Sequence, residues 1–347
     1  MRKRDQRDIL RLEFMTNVLV VGGAGYIGSH MVAILLKQGF RVTVFDNLSR
    51  GHKDACEGAH FIQGDLLDFA AISGCLSAQS FDIVFHFAAL AYVGESVKHP
   101  EQYYQNNVVG SVNLLAAMRK HKLNRLVFSS TCATYGEAKR LPIRETDPQV
   151  PVNPYGFSKF VVEHMLSDYA KAYGFQSISL RYFNAAGCDP LGALGERHEP
   201  ETHLIPLVLR EALRTKLGGL SKDTALQIFG DDYDTPDGSC QRDYVHVNDL
   251  CDAHLLAAQQ LLTSDDGQAK YYNLANAVAY SVFDIVSACR RLTGQPIEYR
   301  IEPRRSGDPA VLIGDAQQAI KELGWKPHRT QLDDMISSAW NYLSKGA

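Results

Sequence analysis

A short apolar run followed at once by closely spaced glycines constrains the fold more than any other part of this sequence. Residues 17–21 form the run Asn-Val-Leu-Val-Val, typical of a buried parallel strand, and residues 22–28 are Gly-Gly-Ala-Gly-Tyr-Ile-Gly. Residues 29–38 then place apolar side chains at helical spacing, with Gly39 as a stop. Glycines at such a turn let backbone N–H groups approach a pyrophosphate, which the positive end of the next helix also attracts. The strand, turn and helix together predict a dinucleotide site in an α/β fold.

Further apolar runs alternate with helical patterns along the first half of the chain. The helical patterns cover residues 103–119 and 154–173, and Gly174 is expected to end the second helix. This alternation favours a doubly wound parallel sheet. The chain of 347 residues is long enough for one large α/β unit or for two domains. The strands are predicted at residues 17–21, 41–45, 61–66, 81–87, 125–130 and 177–183.

An acidic residue at the end of the second strand indicates which dinucleotide would bind. Asp46 lies about 20 positions past the glycines, where a carboxylate accepts hydrogen bonds from the adenosine ribose hydroxyls. A 2′-phosphate at that place would meet a like charge, so NAD is favoured over NADP. Arg50 stands nearby and is expected to be a solvated surface residue.

Three other positions near the expected cofactor site carry polar or small side chains. Asp65 follows the third strand and could either contact the adenine or cap a helix. His86 lies inside an apolar run and is expected to be a core histidine with its hydrogen bonds satisfied. Ala88 and Ala89 follow the fourth strand, where small side chains leave room for a cofactor.

Tyr155 and Lys159 are four residues apart on the predicted helix and therefore share one face. Val162 and Leu166 continue that stripe, so the face should point inward. The ammonium should lower the pKa of the tyrosine from its reference of ~10, and such a phenol can exchange protons with a substrate hydroxyl. The alternative is a packed tyrosine beside a lysine whose stem is buried.

Hydroxyl side chains end the fifth strand. The carboxyl end of a parallel strand faces the ligand crevice of an open α/β sheet, so Thr131 is the candidate partner of a substrate hydroxyl. The alternative is a turn in which such a hydroxyl satisfies its own backbone.

Composition excludes several classes of protein and binding site. The formal net charge of −3 gives no sign of a nucleic-acid or anionic-membrane surface. The seven cysteines are scattered without a C-x-x-C pair, which argues against a zinc site or a disulfide framework and favours reduced thiols in a cytoplasmic enzyme. No run of ~18 apolar residues predicts a membrane helix. Residues 1–14 are charged, lack the apolar core of a signal peptide, and are expected to be a disordered extension.

A set of motifs stands in order along the chain and resembles the extended short-chain dehydrogenase/reductase family. The similarity is greatest to the UDP-glucose 4-epimerases, also called UDP-galactose 4-epimerases, and to UDP-arabinose 4-epimerases, over about residues 16–345. The motifs are Gly22-Gly23-Ala24-Gly25-Tyr26-Ile27-Gly28-Ser29-His30, Phe45-Asp46-Asn47-Leu48-Ser49, Gly64-Asp65, His86-Phe87-Ala88-Ala89, Tyr155-x-x-x-Lys159 and Arg181-Tyr182-Phe183-Asn184.

The resemblance implies a fold and a division into domains. The fold would be a Rossmann-like doubly wound parallel sheet with a smaller C-terminal α/β substrate-binding lobe. Residues 15–184 would bind NAD, with segments near 240–275 returning to that domain, and residues 185–347 would bind the UDP-sugar.

The resemblance also implies which residues contact the ligands. Arg242 and Arg305 would hold the UDP phosphates, and Asp308 the uridine ribose; for Arg242 the alternative is a surface salt bridge with Asp243. Asn184 would bind a phosphate or a sugar hydroxyl, and Leu312 would stand at the gate of the sugar pocket. The remaining substrate contacts would be Thr131, Tyr155, His203 and Leu204. The cofactor contacts would be Gly22, Gly25, Tyr26, Ile27, Gly28, Asp46, Asn47, Asp65, Leu66, Phe87, Ala88, Ala89, Asn107, Ser129, Tyr155, Lys159 and Tyr182.

The implied activity is NAD-dependent inversion at C4 of a UDP-sugar, with UDP-glucose and UDP-galactose as the expected pair. Tyr155 would remove the 4-OH proton, and Lys159 would lower the pKa of Tyr155. Thr131 would hydrogen-bond the reacting oxygen of a transient 4-keto intermediate. Ala91 and His203 follow the arabinose-type subgroup, so a UDP-xylose/UDP-arabinose 4-epimerase is the alternative, and Leu312 leaves N-acetylated sugars open.

Three competing functions share the expected fold or cofactor. A sugar-nucleotide dehydratase or decarboxylase would need carboxylates where Thr131, Cys132 and Ala133 stand. A net NAD(P)-dependent reductase or dehydrogenase would release NADH steadily, and a non-catalytic NAD sensor would not need Tyr155 with Lys159.

A homodimer is expected from two helices. Residues 101–120 and 155–173 carry apolar positions on more than one side, enough for a bundle of two plus two helices. The alternative is that both helices pack only on the sheet.

Overall fold

The computed structural model describes residues 16–219, 225–264, 266–305 and 308–345. The predicted extension at residues 1–14 lies outside the described residues. The described chain forms two compact units. The first contains residues up to Ser130, 157–180 and 251–271, and the second contains residues 131–156, 181–250 and those from 272 onward.

A seven-stranded sheet confirms the predicted α/β class. Its strands lie in the order β11-β6-β5-β4-β1-β2-β3, and the pairings from β3 across to β6 are all parallel. The order reverses beside β1, as in a doubly wound sheet. The strands are β1 (Asn17–Val21), β2 (Arg41–Asp46), β3 (His60–Gln63), β4 (Ile83–His86), β5 (Arg125–Ser129), β6 (Gln176–Tyr182) and β11 (Ala269–Leu274).

The helices of the first unit bury apolar side chains against this sheet. Leu19 and Val21 of β1, Leu126 of β5, Leu114 and Leu166 belong to one buried cluster. The helices are α1 (Tyr26–Lys37), α2 (Phe69–Ala78), α3 (Val93–Lys98), α4 (Pro100–Tyr103), α5 (Gly110–Lys120), α6 (Pro154–Tyr173) and α8 (Val247–Thr263). Gly174 follows α6 with φ +68°, as its predicted role as a helix stop requires.

Several boundaries differ from the sequence prediction for local reasons. The third strand ends at Gln63, and the N–H of Gly64 makes the last hydrogen bond to β2, at the Asp46 carbonyl. The helix predicted over 103–119 is interrupted by a π-helical turn at Tyr104–Val109, which contains the buried Asn107. π-Turns inside helices occur frequently at functional sites.

The second unit has its own core and three small sheets. Helices α7 (Leu204–Lys216), α9 (Val282–Thr293) and α11 (Leu332–Lys345) bury Ile205, Leu209, Ile285, Met335 and Ile336 together. A short helix α10 covers Gln317–Glu322. The strands are β7 (Asn184–Ala186), β8 (Leu226–Phe229), β9 (Gln241–Arg242), β10 (Tyr244–His246), β12 (Tyr280–Ser281), β13 (Tyr299–Glu302) and β14 (Val311–Leu312), paired as β10–β7, β12–β9–β14 and β13–β8.

Residues 131–156 belong to the second unit, although they were predicted to lie in the domain of residues 15–184, and residues 251–271, within the segment predicted to return, belong to the first. The Tyr135 hydroxyl donates to Asn273 Oδ1 over 2.7 Å, and the Ile143 N–H donates to the Ile313 carbonyl over 2.8 Å. Tyr135 and Ile143 also share a buried cluster with Phe183. These contacts come from distant parts of the sequence, which is why local patterns gave no sign of them. No described helix is long and apolar enough to cross a membrane.

Candidate active site

The glycine-rich turn after β1 forms a cradle that side chains would fill. Gly22 has φ +80°, and a Cβ there would lie 2.3 Å from the Ala88 nitrogen. A Cβ on Gly28 would lie 2.2 Å from the Gly22 carbonyl oxygen. A Cβ on Gly25 would make only an ordinary van der Waals contact, 3.5 Å from the Gly22 carbonyl oxygen. Gly25 is also the N-cap of α1, and no side chain caps this helix end.

Asp46 closes β2 beside this turn. Its carboxylate accepts the N–H groups of Ala24 over 3.0 Å and Leu48 over 2.8 Å. Burial raises the pKa of Asp46, and the two backbone hydrogen bonds oppose that shift. An open phosphate cradle, an uncapped helix start and a carboxylate at the end of β2 fit the pyrophosphate and ribose of NAD.

Asp65 is hydrogen-bonded to the Asn47 side chain and does not cap a helix. Its carboxylate accepts the Asn47 side-chain amide over 2.9 Å and the Leu67 N–H over 2.8 Å. The helix-cap alternative was wrong because Asp68 caps α2, accepting the N–H groups of Ala70 and Ala71. The expected contact of Asp65 with adenine stays a prediction.

Asn107 connects the chain after β4 to α6. Its side chain exchanges two hydrogen bonds with the Leu90 backbone, at 2.8 and 3.0 Å, and donates to Ser158 Oγ over 2.9 Å. Phe87 and Ala88 both donate their N–H groups to the Val21 carbonyl, which draws this segment against the glycine turn. Asn107 therefore positions the walls of the expected cofactor site, and its direct contact with NAD stays a prediction.

His86 is a buried core histidine. Its Nε2 lies 2.9 Å from Ser111 Oγ, while burial and the charge of Lys159 lower its pKa to about 3. It is therefore neutral at pH 7. The prediction that both ring nitrogens are hydrogen-bonded holds only for Nε2, because Nδ1 has no hydrogen-bond partner among the described residues.

Lys159 is buried under the end of β5. Its side chain donates to the Ser129 carbonyl over 2.7 Å and stands 4.9 Å from the centre of the Phe128 ring. Burial lowers the pKa of Lys159 to about 7, with Glu163 opposing the shift. Glu163 in turn accepts a hydrogen bond from Ser130 Oγ over 2.5 Å.

The Tyr155 hydroxyl is hydrogen-bonded to the Thr131 side chain. Thr131 also accepts the Ala133 N–H over 3.1 Å, so its side chain both closes a turn and meets the tyrosine. Burial raises the pKa of Tyr155 to about 12, and the Thr131 hydrogen bond opposes that shift. The predicted lowering below ~10 by Lys159 was wrong for this structure. The physical reason is that burial disfavours the charged phenolate and is the largest contribution to the shift.

The residues expected at the UDP phosphates and ribose lie on neighbouring elements of the second unit. Arg242 on β9 forms an ion pair with Asp308 and is mostly buried. The alternative pairing with Asp243 was wrong, because that carboxylate accepts the N–H groups of Asn276 and Ala277, each over 2.9 Å. The guanidinium of Arg305 stacks 4.0 Å from the centre of the Phe229 ring.

Asn184 and Leu312 flank the strand that carries Arg242. The Asn184 side chain donates to the Asp243 carbonyl over 2.9 Å. Leu312 on β14 is paired in register with Arg242 and is buried in the cluster of Tyr135 and Ile143. The structure thus brings Asn184, Arg242, Asp308 and Leu312 together. Tyr182 ends β6 and is buried, and Leu66 and Ala89 lie after β3 and β4.

The loop before α7 holds a cluster that sequence reasoning missed. His203 is the N-cap residue of α7, followed by Leu204, and its Nδ1 contacts the Glu196 carboxylate. His198 and Glu201 complete the cluster. The spacing Glu-x-His-x-x-Glu-x-His was the available signal in the sequence.

Two glycine variants separate the fold of the turn from the cofactor cradle. We expect Gly28→Ala to lower stability and NAD affinity together, because the added Cβ would meet backbone atoms. Gly25→Ala should keep the melting temperature within about 2 °C, because the added Cβ would make only an ordinary van der Waals contact in the protein, while weakening NAD binding at least tenfold. Melting curves and fluorescence titration with NAD measure both effects. Normal NAD binding by Gly25→Ala would contradict the assignment of the cradle.

The buried ammonium predicts a pH-dependent gain from its removal. The pKa of Lys159 is about 7 in the folded chain and about 10.5 in the unfolded chain, so its burial costs most below pH 7 and little above pH 10. Lys159→Met should therefore raise the melting temperature, relative to the parent chain, more at pH 6 than at pH 9. Lys171→Met, on the exposed side of α6, is the control and should show no such trend. If Lys159→Met raised the melting temperature equally at pH 6 and pH 9, burial of the charged amine would not be what destabilises the parent chain.

Comparison with known proteins confirms the resemblance seen in the sequence. Residues 18–275 match the model of the NAD dependent epimerase/dehydratase family. The chain is 50% identical to a UDP-glucose 4-epimerase of Halalkalibacterium halodurans, over 94% of this chain and 95% of the relative.

Solved structures agree in fold as well. The UDP-glucose 4-epimerase of Brucella ovis in complex with NAD superposes with a TM-score of 0.88 at 46% identity, covering 94% of this chain and 98% of that one. The enzyme of Bifidobacterium longum in complex with NAD+ and UDP gives a TM-score of 0.88 at 38% identity, covering 95% and 98%. On these matches to its fold, its glycine turn and its full length, the chain belongs to the NAD dependent epimerase/dehydratase family.

Proposed function

We propose that this chain catalyses NAD-dependent epimerisation at C4 of a UDP-sugar, with UDP-glucose and UDP-galactose as its principal pair. The observation that carries the proposal is the Tyr155 hydroxyl bonded to Thr131, on a helix that presents Lys159 one turn later. Family membership and the names of the relatives support the same reaction. The first unit binds NAD and the second binds the UDP-sugar.

Tyr155 is the group that moves the substrate proton. Its oxygen takes the proton of the 4-OH as C4 is oxidised and returns it after the ketone has turned its other face. Thr131 donates to the reacting oxygen and favours the phenolate form of Tyr155. Lys159 holds the cofactor ribose and adds positive charge. NAD, when bound, would supply an acceptor for the C4 hydride and its donor on the return, so the cycle would be redox-neutral.

The second unit grips the nucleotide while leaving the sugar free to turn. Arg242 and Arg305 present planar guanidinium groups to the diphosphate, and Asp308 and Asn184 bind the ribose and a phosphate or sugar hydroxyl. Asp308 forms an ion pair with Arg242, and ligand phosphates would share or replace this pair. A tethered nucleotide keeps the 4-keto sugar in place during its rotation.

One competing chemistry is disfavoured by the chain after β5. A dehydratase or decarboxylase needs further acid and base groups there, but Cys132 follows Thr131 and burial raises the pKa of its thiol to about 12. This thiol is neutral at pH 7 and a poor base. The arabinose-type alternative keeps one supporting observation, the presence of His203 at the N-cap of α7.

Tyr155→Phe tests the reaction. The variant removes the hydroxyl and little else, so UDP-galactose conversion should fall at least about 1,000-fold while NAD binding persists. Product separation after incubation with UDP-galactose, UDP-xylose and UDP-N-acetylglucosamine, using the parent chain in parallel, also ranks the sugars. Near-normal turnover by Tyr155→Phe would refute the catalytic assignment. Steady release of NADH by the parent chain would favour a net dehydrogenase.

We propose further that the chain is a homodimer. Exposed apolar side chains cluster on the turn before α5, on α5 itself and on α6, where Tyr104, Val112 and Phe157 are 38%, 42% and 43% exposed. The Tyr104 and Phe157 rings already contact each other at 6.3 Å, edge to face. A second copy would cover this apolar surface with its own. A cytoplasmic location is also proposed, in keeping with seven free, buried cysteines.

Light scattering of the purified chain should give twice the monomer mass. Val112→Glu should shift the mass toward the monomer, because a charge would be buried at the centre of the interface. Leu217→Glu, at a 68% exposed position outside this surface, is the control and should leave the dimer intact. A monomeric parent chain at micromolar concentration would remove the proposal.

A further inference from the structure

Two carboxylates and two imidazoles converge in the loop that precedes α7. Glu196, His198, Glu201 and His203 each offer one ligand atom, and these four atoms all lie within 4.8 Å of one another. Glu196 Oε1 lies 2.9 Å from His198 Nδ1 and also contacts His203 Nδ1. The cluster is therefore already gathered around a common centre.

Burial makes this gathering costly for the charged groups. The side chains of Glu196 and Glu201 are 5% and 0% exposed. Two carboxylates taken out of water need compensating positive charge. The permanently charged side chain of Arg210 lies close by, with its Nη2 3.7 Å from Glu201 Oε2. Arg210 donates its hydrogen bond instead to the His198 carbonyl, over 3.1 Å.

Glu201 supplies an independent sign of a ligand. Its Oε1 accepts the N–H groups of Thr202 and His203, at 2.8 and 3.0 Å, which fixes the carboxylate firmly. Its Oε2 is buried and accepts no hydrogen bond from any described residue. A fully buried carboxylate oxygen in this state is rare unless something else binds it.

We propose that Glu196, His198, Glu201 and His203 bind one divalent transition-metal ion, best fitted by Zn²⁺, which fixes the loop before α7. Bonds of about 2.0–2.2 Å to nitrogen and oxygen place tetrahedral ligands roughly 3.3–3.6 Å apart. The ligand atoms of the cluster all lie within 4.8 Å of one another, and the two imidazole contacts of Glu196 would lengthen as the ion replaces them. Imidazole ligands favour zinc, nickel or copper over magnesium and calcium.

The ligand count assigns the ion a structural role. Four protein ligands complete a tetrahedral shell and leave no position for substrate or water. All four come from one segment of eight residues that ends at the N-cap of α7. The ion would thus hold the loop in the shape that starts this helix. The rival account is an ion-pair network in which protonated imidazoles alone balance the carboxylates.

Metal binding to the untagged, chelator-treated full chain decides between the two accounts. The parent chain should bind one equivalent of Zn²⁺ in competition with a chromophoric chelator, and elemental analysis after gel filtration should confirm the ratio. His198→Asn and the near-isosteric Glu201→Gln should each weaken binding at least about 100-fold, since each removes a direct ligand. His60→Asn, at an exposed position on β3, is the matched control and should bind as the parent does.

Thermal melting provides a second readout that does not depend on activity. Zn²⁺ should raise the melting temperature of the parent chain and of His60→Asn, and Mg²⁺ should not. Less than stoichiometric Zn²⁺ on the parent chain would overturn the proposal whether or not the variants fold. Unchanged affinity in both His198→Asn and Glu201→Gln would overturn it as well. Neither outcome bears on the epimerase reaction, because no substrate is present in these measurements.

Discussion

The buried ammonium of Lys159 is the charge on which the electrostatics of the first unit's site depend. It sits under the end of β5, bonded to the Ser129 carbonyl and stacked on Phe128. The charge of Lys159 helps to lower the pKa of His86 and so to keep that imidazole neutral. The negative charge of Glu163 favours the charged form of Lys159 and opposes the effect of burial on its pKa. A lysine held this way costs stability near neutral pH, so its retention in the core indicates a role beyond packing.

A second constraint is the set of hydrogen bonds by which Asn107 holds the start of α6. Asn107 sits in a π-helical turn, from which it reaches both the Leu90 backbone and Ser158 of α6. Ser158 immediately precedes Lys159, so the hydrogen bond from Asn107 to Ser158 helps to fix the position of the ammonium beneath β5. The π-helical turn thus places the buried Asn107 amide where it can bond both to the Leu90 backbone and to Ser158.

The local features of the fold and the site could be predicted from the sequence, and the features that depend on distant partners could not. The glycine turn, Asp46 and the α6 stripe follow from spacing within one or two elements, and the structure has them there. The partner of Arg242 lies 66 residues away at Asp308, and the Tyr135 hydroxyl is hydrogen-bonded to Arg181 and Asn273, so no local pattern could indicate these pairings. Asp65 and Asp68 compete for the same helix start, and only the backbone geometry shows which one caps α2.

The pKa of Tyr155 shows why spacing alone does not determine chemistry. Helical periodicity places Lys159 one turn from the tyrosine, but it says nothing of how deeply either group is buried. Burial shifts the two pKa values toward the neutral forms, to about 12 for the phenol and about 7 for the ammonium. The amine therefore loses its proton long before the phenol does, and Lys159 alone cannot generate a phenolate at pH 7.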